Sequence, residues 1–424
     1  MNLHEYQGKA LLRQYGVAVP PGTVASTVDE AVAAAETCGS GPWYIKAQIL
    51  AGGRATGHFS HAPASGGGVR LCDTLQQVRL HAKEMLGQVS YTVQTGGGGI
   101  PVHQVYVEKA VDVTREVYTA LLIDRRNSCI SLVTAPDGGS QIEQSYSDDN
   151  NQLCTTELDI ESGLDNESIR SAASTLDFSE AESTAFAAAL QSLYQMFIDL
   201  DCSLIEINPL AVTTDGAVCA LDATVKIDDN ALYRQPALAQ QRDTRDLSAG
   251  ELEALNNRFN YFALDGNIGI VASGASMAMA TIDAVKLHGG DPANFLDIPP
   301  VADDQQFAAG LNLVLTDPTV EAVLVNVFGG GVMRCDDLAR ALLQAREAAN
   351  CRVPVVVRLA GTKSVQALEL LAAEAPDMVI AADMVEAARI SVEAAALASQ
   401  RENSTETGWW SRLRRVASTS DEAS

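Results

Sequence analysis

The stretch Ala322-Val-Leu-Val-Asn-Val-Phe-Gly-Gly-Gly331 reads as a buried β-strand that ends in a glycine turn. Its almost continuous apolar character is typical of a strand covered on both faces of a parallel sheet. The same unit occurs at Ile268-Gly-Ile-Val-Ala272, followed by Ser273-Gly274, and at Val353-Pro-Val-Val-Val-Arg358, followed by Ala360-Gly-Thr362. A helical segment follows each turn, so this half of the chain predicts a doubly wound α/β sheet.

Two of these turns suggest an anion site. Ser273-Gly274-Ala275-Ser276 and Gly329-Gly-Gly-Val-Met-Arg334 both lie between a strand and a helix, where backbone N–H groups and the helix dipole attract a carboxylate or phosphate. Glycine required only for a tight turn is a fair alternative for either one alone. Because both turns fall at the carboxyl edge of one sheet, the pair favours an anion site.

The first half has a different organisation. Short apolar runs, such as Trp43–Ile49 and Gln104–Glu108, alternate with helical and polar segments, which indicates an α+β domain. A polar stretch without periodicity, Arg234–Ser248, predicts a domain boundary near residue 245. The last 24 residues, Arg401–Ser424, are rich in Ser, Thr and Glu and predict a disordered tail.

Composition excludes several classes of protein. The chain has 29 basic and 54 acidic side chains, and a net charge of -25 repels nucleic acid and anionic lipid. No run of about 18 apolar residues suits a membrane span. The eight cysteines are scattered without a C-x-x-C pair, which favours reduced core thiols in a cytoplasmic protein.

A candidate metal site lies in Leu204-Ile-Glu-Ile-Asn-Pro-Leu-Ala-Val-Thr-Thr-Asp-Gly-Ala-Val-Cys-Ala-Leu-Asp222. Two strand-like runs flank Thr214-Asp215-Gly216, and a turn centred on Asp215 sets Asn208 opposite Asp222. The period of two puts Glu206 on the same face as Asn208. Carboxylate and amide oxygens suit Mg²⁺ bound to a nucleotide, although a merely solvated polar face is an equal alternative.

The region before residue 120 offers candidate nucleotide contacts. Lys46 interrupts an apolar run, where it meets a phosphate or is an edge-strand lysine that points to water. Glu108 ends another run and accepts from a nucleotide or is a surface glutamate. The glycine-rich stretch Ala51–Gly68 is not a Walker A loop, since no G-K-[ST] follows, and Pro63 and its glycines disfavour a helical metal pair of His58 and His61.

Taken together, these segments resemble the β subunits of succinyl-CoA synthetase and its malate-CoA ligase relatives. The matching segments extend to about residue 400 and include MNLHEYQGKALL at 1–12, GPWYIKAQILAGGR at 41–54, LIEINPLAVT at 204–213, FNYFALDGNIG at 259–269, VKLHGGDPANFLD at 285–297 and VPVVVRLAGT at 353–362. The resemblance implies an ATP-grasp domain at 1–240 with a lid subdomain at about 21–103. A flavodoxin-like CoA-ligase domain at 245–400 would follow.

The resemblance also implies the chemistry. ATP, or GTP, phosphorylates a histidine on a partner α subunit, the phosphate moves to a small carboxylic acid, and CoA displaces it; the subunits form αβ or α₂β₂. The implied nucleotide contacts are Lys46, Gly53, Arg54, Ala55, Glu108, Val111 and Glu116. Mg²⁺ would bind Asn208 and Asp222, with Glu206 and Arg54 at the phosphotransfer site. The acid would contact Ser273, Gly330, Gly331 and Val332.

The sequence departs from the family pattern at positions that concern the substrate. Ala55-Thr56 follows Arg54 where the family has glycine and lysine, Ser273 replaces an asparagine, and Pro299-Pro300 replaces glycines. One hypothesis is therefore an acid-CoA ligase β subunit for succinate, or for malate, sulfoacetate or another carboxylate. The other is a catalytically weakened, nucleotide-binding regulatory subunit.

Overall fold

The computed structural model describes residues 1–60, 66–139, 153–299, 302, 304–330 and 333–399. The predicted disordered tail therefore lies outside the described residues. The chain divides into two compact units, one spanning Met1–Asp246 and the other beginning at Leu247.

The first sheet of the N-terminal unit is antiparallel and runs in the order β1-β7-β2-β4. The elements up to this point are α1 (Glu5–Gln14), β1 (Gly22–Ala25), α2 (Val28–Thr37), β2 (Trp43–Ala47), β3 (His58–Phe59), β4 (Val69–Cys72), α3 (Leu75–Met85), β5 (Val89–Tyr91), β6 (Ile100–Pro101) and β7 (Val105–Lys109). Thr27 and Thr74 start α2 and α3 because their side chains accept the backbone N–H groups of Glu30 and Gln77. Apolar residues of both helices pack on β2 and β7.

A second antiparallel sheet follows in the order β10-β9-β8-β11-β12, with β13 also paired to β11. Its elements are β8 (Val113–Asp124), β9 (Cys129–Ala135), β10 (Cys154–Leu158), α4 (Asn166–Ala173), α5 (Glu180–Asp199), β11 (Cys202–Thr213), β12 (Val218–Ala220), β13 (Thr224–Ile227) and α6 (Pro236–Ala239). The long helix α5 covers one face of this sheet, and its buried face includes Phe186, Leu190 and Leu193. The opposite face is therefore left to line a cleft.

The C-terminal unit contains the predicted doubly wound sheet, in the order β14-β16-β15-β17-β18-β19. Its elements are α7 (Ala249–Asn257), β14 (Asn260–Ala263), β15 (Ile268–Ser273), α8 (Ala275–Leu287), β16 (Asn294–Ile298), α9 (Asp304–Leu315), β17 (Ala322–Gly329), α10 (Cys335–Ala348), β18 (Val355–Gly361), α11 (Ser364–Glu374), β19 (Val379–Ile380) and α12 (Met384–Ser399). Apart from the antiparallel edge strand β14, the strands are parallel and follow the flavodoxin-like order 2-1-3-4-5.

Helices cover both faces of this parallel sheet, as the apolar strands require. Residues of α9, α10 and α11 form the core on one side, and α8 and α12 form it on the other. Gly269 in β15 shows how close this packing is, because a Cβ there would lie 2.4 Å from Val314 Cγ1 of α9. The fold predicted from alternating strands and helices is confirmed.

The structure can be compared with two predictions made from composition, that the cysteines are reduced core thiols and that no segment suits a membrane span. All eight cysteines are unpaired in the structure, and five of them are buried. Burial raises the pKa of Cys202 to about 12, so this thiol stays protonated at neutral pH. Among the described residues, no helix combines the length and apolar character needed to cross a bilayer.

Candidate functional site

A cleft of ≈ 570 Å³ lies in the N-terminal unit, which also has a small sheet of β3, β5 and β6; residues of the two larger sheets and of α1 line this cleft. It brings together all the nucleotide, metal and phosphotransfer residues that the sequence suggested: Lys46, Gly53, Arg54, Ala55, Glu108, Val111, Glu116, Glu206, Asn208 and Asp222. These positions span 177 residues of sequence, from 46 to 222 inclusive, so only the tertiary fold makes them neighbours. The cleft is thus the candidate functional site of this unit.

The hairpin register predicted around Asp215 is confirmed. Leu210 pairs with Ala220 and Val212 with Val218, so the paired numbers sum to 430 as the turn position requires. The Leu221 N–H donates to the Pro209 carbonyl at 3.1 Å, which extends the same register toward Asp222. The sheet therefore carries Asn208 and Asp222 to one wall of the cleft.

The two faces of β11 also separate as the period of two predicts. Ile205 and Ile207 are buried in the core beneath α5. Leu204, Glu206 and Asn208 line the cleft on the other face. Burial of the isoleucines thus fixes the direction in which Glu206 and Asn208 point.

Arg54 is held by its backbone and by its side chain. Its carbonyl accepts the Gly68 N–H at 2.7 Å, and Gly53 before it has φ of 73°, a region that favours glycine. Its guanidinium donates to the Ala47 carbonyl at 3.0 Å and pairs with Glu5 at 2.8 Å. Arg54 Nη2 also reaches both Asp222 carboxylate oxygens, at 2.9 and 2.7 Å. Arg54 is therefore fixed at the centre of the cleft, not displayed on a free loop.

The structure excludes two alternative interpretations of Lys46 and Glu108. Lys46 is not an edge-strand lysine, because β2 lies between β7 and β4 and its ammonium is buried against Glu5 and Glu108. Glu108 is not a surface glutamate, since it is only 2% exposed. The period of two in β2 and β7 places both side chains toward α1, where Lys46 and Glu108 form an ion pair.

Two members of this charged cluster were missed by reasoning from the sequence. Glu5 and Lys9 lie one turn apart on α1, and their charged groups are 2.8 Å apart. Lys9 also pairs with Glu108 at 2.5 Å. The i, i+4 spacing was the available signal, but such pairs occur mostly on solvated helix faces, and nothing local indicated that this one is buried.

The described cluster balances its charges. Glu5, Glu108 and Asp222 provide three carboxylates, and Lys9, Lys46 and Arg54 provide three cations. Burial alone would raise the pKa of the Glu5 carboxyl, but Lys46, Lys9 and Arg54 hold it well below its usual range. Burial alone would lower the pKa of Lys46, yet the charges of Glu108 and Glu5 raise it. Both groups are therefore ionised at neutral pH.

The depressed pKa of Glu5 predicts acid sensitivity. Because the folded state binds this proton more weakly than the unfolded state, the stabilisation is present above the usual glutamate pKa of about 4.3 and is lost as the pH falls below it. We expect the melting temperature of wild type to fall at least about 3 °C more than that of Glu5→Gln between pH 5 and pH 3. Parallel curves in calorimetric scans would contradict this expectation.

Asn208 and Asp222 have the donor chemistry for a hard cation. Asn208 Oδ1 accepts the Gly139 N–H at 2.5 Å, and Asp222 is one-third exposed on the cleft. One carboxylate and one amide leave room for the water and phosphate oxygens that Mg²⁺ usually retains. In the described part of the chain, no three His, Cys, Asp or Glu side chains form a complete metal cage. The donor set thus fits a metal that arrives with a nucleotide.

In the C-terminal unit, one expected anion contact is already used within the chain. The Gly274 N–H donates to Asp297 Oδ1 at 2.8 Å, so this one amide of the turn is not available to an anion. Ser273 ends β15 beside it, at the predicted carboxyl edge. Gly330 follows β17, and its carbonyl accepts the Met333 N–H at 3.2 Å. Gly331, Val332 and Pro300 lie outside the described residues.

The N-terminal unit with its charged cleft and the doubly wound C-terminal unit define a chain of the ATP-grasp and CoA-ligase class. An ATP-grasp family model matches residues 2–212, and a CoA-ligase family model matches residues 271–392. Curated relatives include the β subunits of ADP-forming succinate–CoA ligases of Paramagnetospirillum magneticum and Paracoccus denitrificans, which are 41% and 42% identical. Each match covers 93% of this chain and 99% of the relative. The chain belongs to the family of succinate–CoA ligase β subunits.

A solved structure extends the comparison of the fold. An ATP citrate lyase of Methanothrix soehngenii, in complex with citrate and coenzyme A, aligns with a TM-score of 0.74 at 16% identity. The alignment covers 92% of this chain and 99% of that one. At this identity the similarity shows a shared fold alone.

Proposed function

We propose that this chain is the β subunit of an ADP-forming acid–CoA ligase, with succinate as its acid. The near-full-length similarity to succinate–CoA ligase β subunits supports this assignment. The observation that carries the nucleotide-binding role is the cleft in which Lys46 and Arg54 lie with Glu108, Asn208 and Asp222. The overall reaction joins an acid to CoA and converts ATP to ADP and phosphate.

Within the cleft, the cations would bind the nucleotide phosphates. Lys46 and Arg54 supply the positive charge, and the Gly53 and Ala55 backbone borders the same space. Glu108, which pairs with Lys46 at 2.6 Å, and Val111 and Glu116 line the same cleft and would also contact the nucleotide. Asn208 and Asp222 would hold Mg²⁺, which neutralises phosphate charge when bound.

An exchange of partners follows from this assignment. Arg54 holds both oxygens of Asp222 in the structure, so Asp222 is already neutralised without a metal. For Asp222 to ligate Mg²⁺, the Arg54 guanidinium must release the Asp222 carboxylate. It would then donate to a nucleotide phosphate, which replaces the negative charge of Asp222 beside it. Glu206, which lines the cleft on the same face of β11 as Asn208, would then lie beside the phosphate that leaves for the partner.

The second half of the reaction would use the C-terminal unit and another chain. An α subunit would carry the phosphohistidine and most of the CoA site, in an αβ or α₂β₂ assembly; none of the described residues that line the cleft is a histidine. Ser273, Gly330, Gly331 and Val332 would contact the acid. Asp297 takes one amide of the turn at Ser273, so the acid would depend on the remaining N–H groups.

Coexpression with an α-type partner tests the proposal. We expect the complex to form an acyl-CoA from succinate, with release of ADP and phosphate, in preference to malate, sulfoacetate and other small carboxylates. Nucleotide binding by calorimetry, with no phosphate on the partner's histidine and no turnover across the acid panel, would instead support the regulatory subunit.

Replacement of Arg54 tests the cleft directly. We expect Arg54→Ala to lower ATP-driven phosphorylation of the partner by at least about tenfold, since a charge-assisted phosphate contact is lost. Arg79→Ala is the matched control, because Arg79 pairs with Asp29 on the exposed surface. Unchanged phosphorylation in Arg54→Ala would remove Arg54 from the phosphate site.

A further inference from the structure

The ammonium groups of Lys9 and Lys46 share the same three acceptors. Lys9 Nζ lies 2.8 Å from Glu5 Oε1, 2.5 Å from Glu108 Oε2 and 2.6 Å from the Leu221 carbonyl. Lys46 Nζ lies 2.9 Å from Glu5 Oε1, 2.6 Å from Glu108 Oε1 and 2.6 Å from the same carbonyl. The two ammonium groups thus donate to the same two carboxylates and to the same backbone oxygen.

The two lysines differ in their access to the cleft. Lys9 is completely buried, comes from α1 and is absent from the cleft lining. Lys46 comes from β2, lines the cleft and retains some exposure. Lys46 is therefore the member of the pair that can change partners, whereas Lys9 has no route to a ligand.

We infer that Lys9 is a positioning residue for nucleotide binding, which holds Glu5 and Glu108 in place so that Lys46 can turn toward a nucleotide phosphate. This inference rests on the proposed function. When Lys46 leaves, Lys9 still pairs with both carboxylates and still binds the Leu221 carbonyl, and Arg54 supplies Glu5 with a second cation. Because Leu221 directly precedes Asp222, the same ammonium also anchors the chain segment that presents the proposed metal ligand.

Charge balance explains why one lysine is insufficient. Without Lys9, Lys46 is the only ammonium between Glu5 and Glu108. If Lys46 stays there, the nucleotide loses a cation; if it leaves, Glu108 loses the second of its two described cations and Glu5 keeps only Arg54 while a polyphosphate approaches. Either outcome weakens nucleotide binding. Binding of the acid and CoA, which use other residues, should not change.

Titration of the full-length chain with MgADP tests this role. We expect Lys9→Met to weaken MgADP binding by at least about tenfold, because one cation of the balanced cluster is lost. In the complex with the partner, KM for ATP should rise in the same proportion, while KM for the acid and CoA should remain within about twofold. Lys83→Met, at an exposed lysine on α3, is the control and should bind as wild type does.

A double variant shows whether Lys9 acts through its charge or only through its packing. Glu5→Gln removes the carboxylate that Lys9 neutralises, so Glu5→Gln with Lys9→Met restores two cations to two anions and should recover most of the MgADP affinity. Packing alone predicts that the double variant binds no better than Lys9→Met, and this result would overturn the inference. Should Lys9→Met not fold, Lys9→Gln takes its place with the same expectations.

The wild-type titration distinguishes a failure of the proposed function from a failure of the role assigned to Lys9. Wild type that binds no MgADP would contradict the proposed function itself. Wild type that binds MgADP, with Lys9→Met binding equally well, would contradict the role of Lys9 alone.

Discussion

Replacing Asp222 by asparagine is expected to lower Mg²⁺-dependent phosphorylation of the partner by at least about a hundredfold. Asparagine keeps the shape of the side chain and can still accept the Ala223 N–H, which Asp222 accepts at 2.8 Å. The substitution removes the negative charge that would attract the metal, and it leaves one oxygen instead of two for Arg54. Because Asp222 is one-third exposed and Arg54 keeps its pair with Glu5, we expect a large loss of catalysis with a smaller loss of stability than at a fully buried pair.

The measurement compares phosphoryl transfer across a Mg²⁺ titration. Asp215→Asn is the matched control, because Asp215 lies in the turn of the same hairpin and outside the cleft lining. The Asp222→Asn curve should be shifted to higher Mg²⁺ and have a lower plateau. If both variants retain the wild-type Mg²⁺ dependence, Asp222 is not a metal ligand.

Replacing Glu108 by glutamine is expected to destabilise the N-terminal unit by about 3–5 kcal/mol, since removal of one partner from a buried ion pair leaves an uncompensated charge. Glu108 is the carboxylate that accepts from both Lys9 and Lys46, one with each oxygen. An amide offers one oxygen and places N–H donors against an ammonium. The effect should appear without nucleotide, because it concerns the fold.

Calorimetric unfolding of the nucleotide-free chain measures this loss, in the transition that belongs to residues 1–246. Glu116→Gln is the control, because Glu116 borders the same cleft but is exposed, and surface substitutions usually change stability by less than about 0.5 kcal/mol. Equal melting temperatures for Glu108→Gln and wild type would show that the stability of this unit does not depend on the charge of Glu108.

Reasoning from the sequence was most successful where the pattern of apolar and polar residues along a strand directly sets which side chains are buried. The apolar strands at 268–273, 322–329 and 355–361 predicted a parallel sheet, and its topology is the flavodoxin-like one. The hairpin at 204–222 has the register that its turn predicts. In both cases neighbours in sequence decide the geometry, so local reasoning is sufficient.

The same reasoning failed where the decisive partner is distant in sequence. Lys46 and Glu108 each had an ordinary surface alternative, and α1 removes both alternatives by supplying Glu5 and Lys9. The Gly274 amide looked available because its acceptor, Asp297, belongs to a neighbouring strand. Neither contact leaves a local signal, since each depends on how elements pack.

The bond from the Gly68 N–H to the Arg54 carbonyl has a consequence for how this site can evolve. It joins the two ends of the chain segment between them, and a Cβ at Gly67 would lie only 2.0 Å from the Ala55 carbonyl oxygen, so those ends meet without space for a side chain. Changes in this segment can therefore leave the guanidinium of Arg54 in position only where they spare Gly67, Gly68 and the strand β3, whose Phe59 is fully buried in the core.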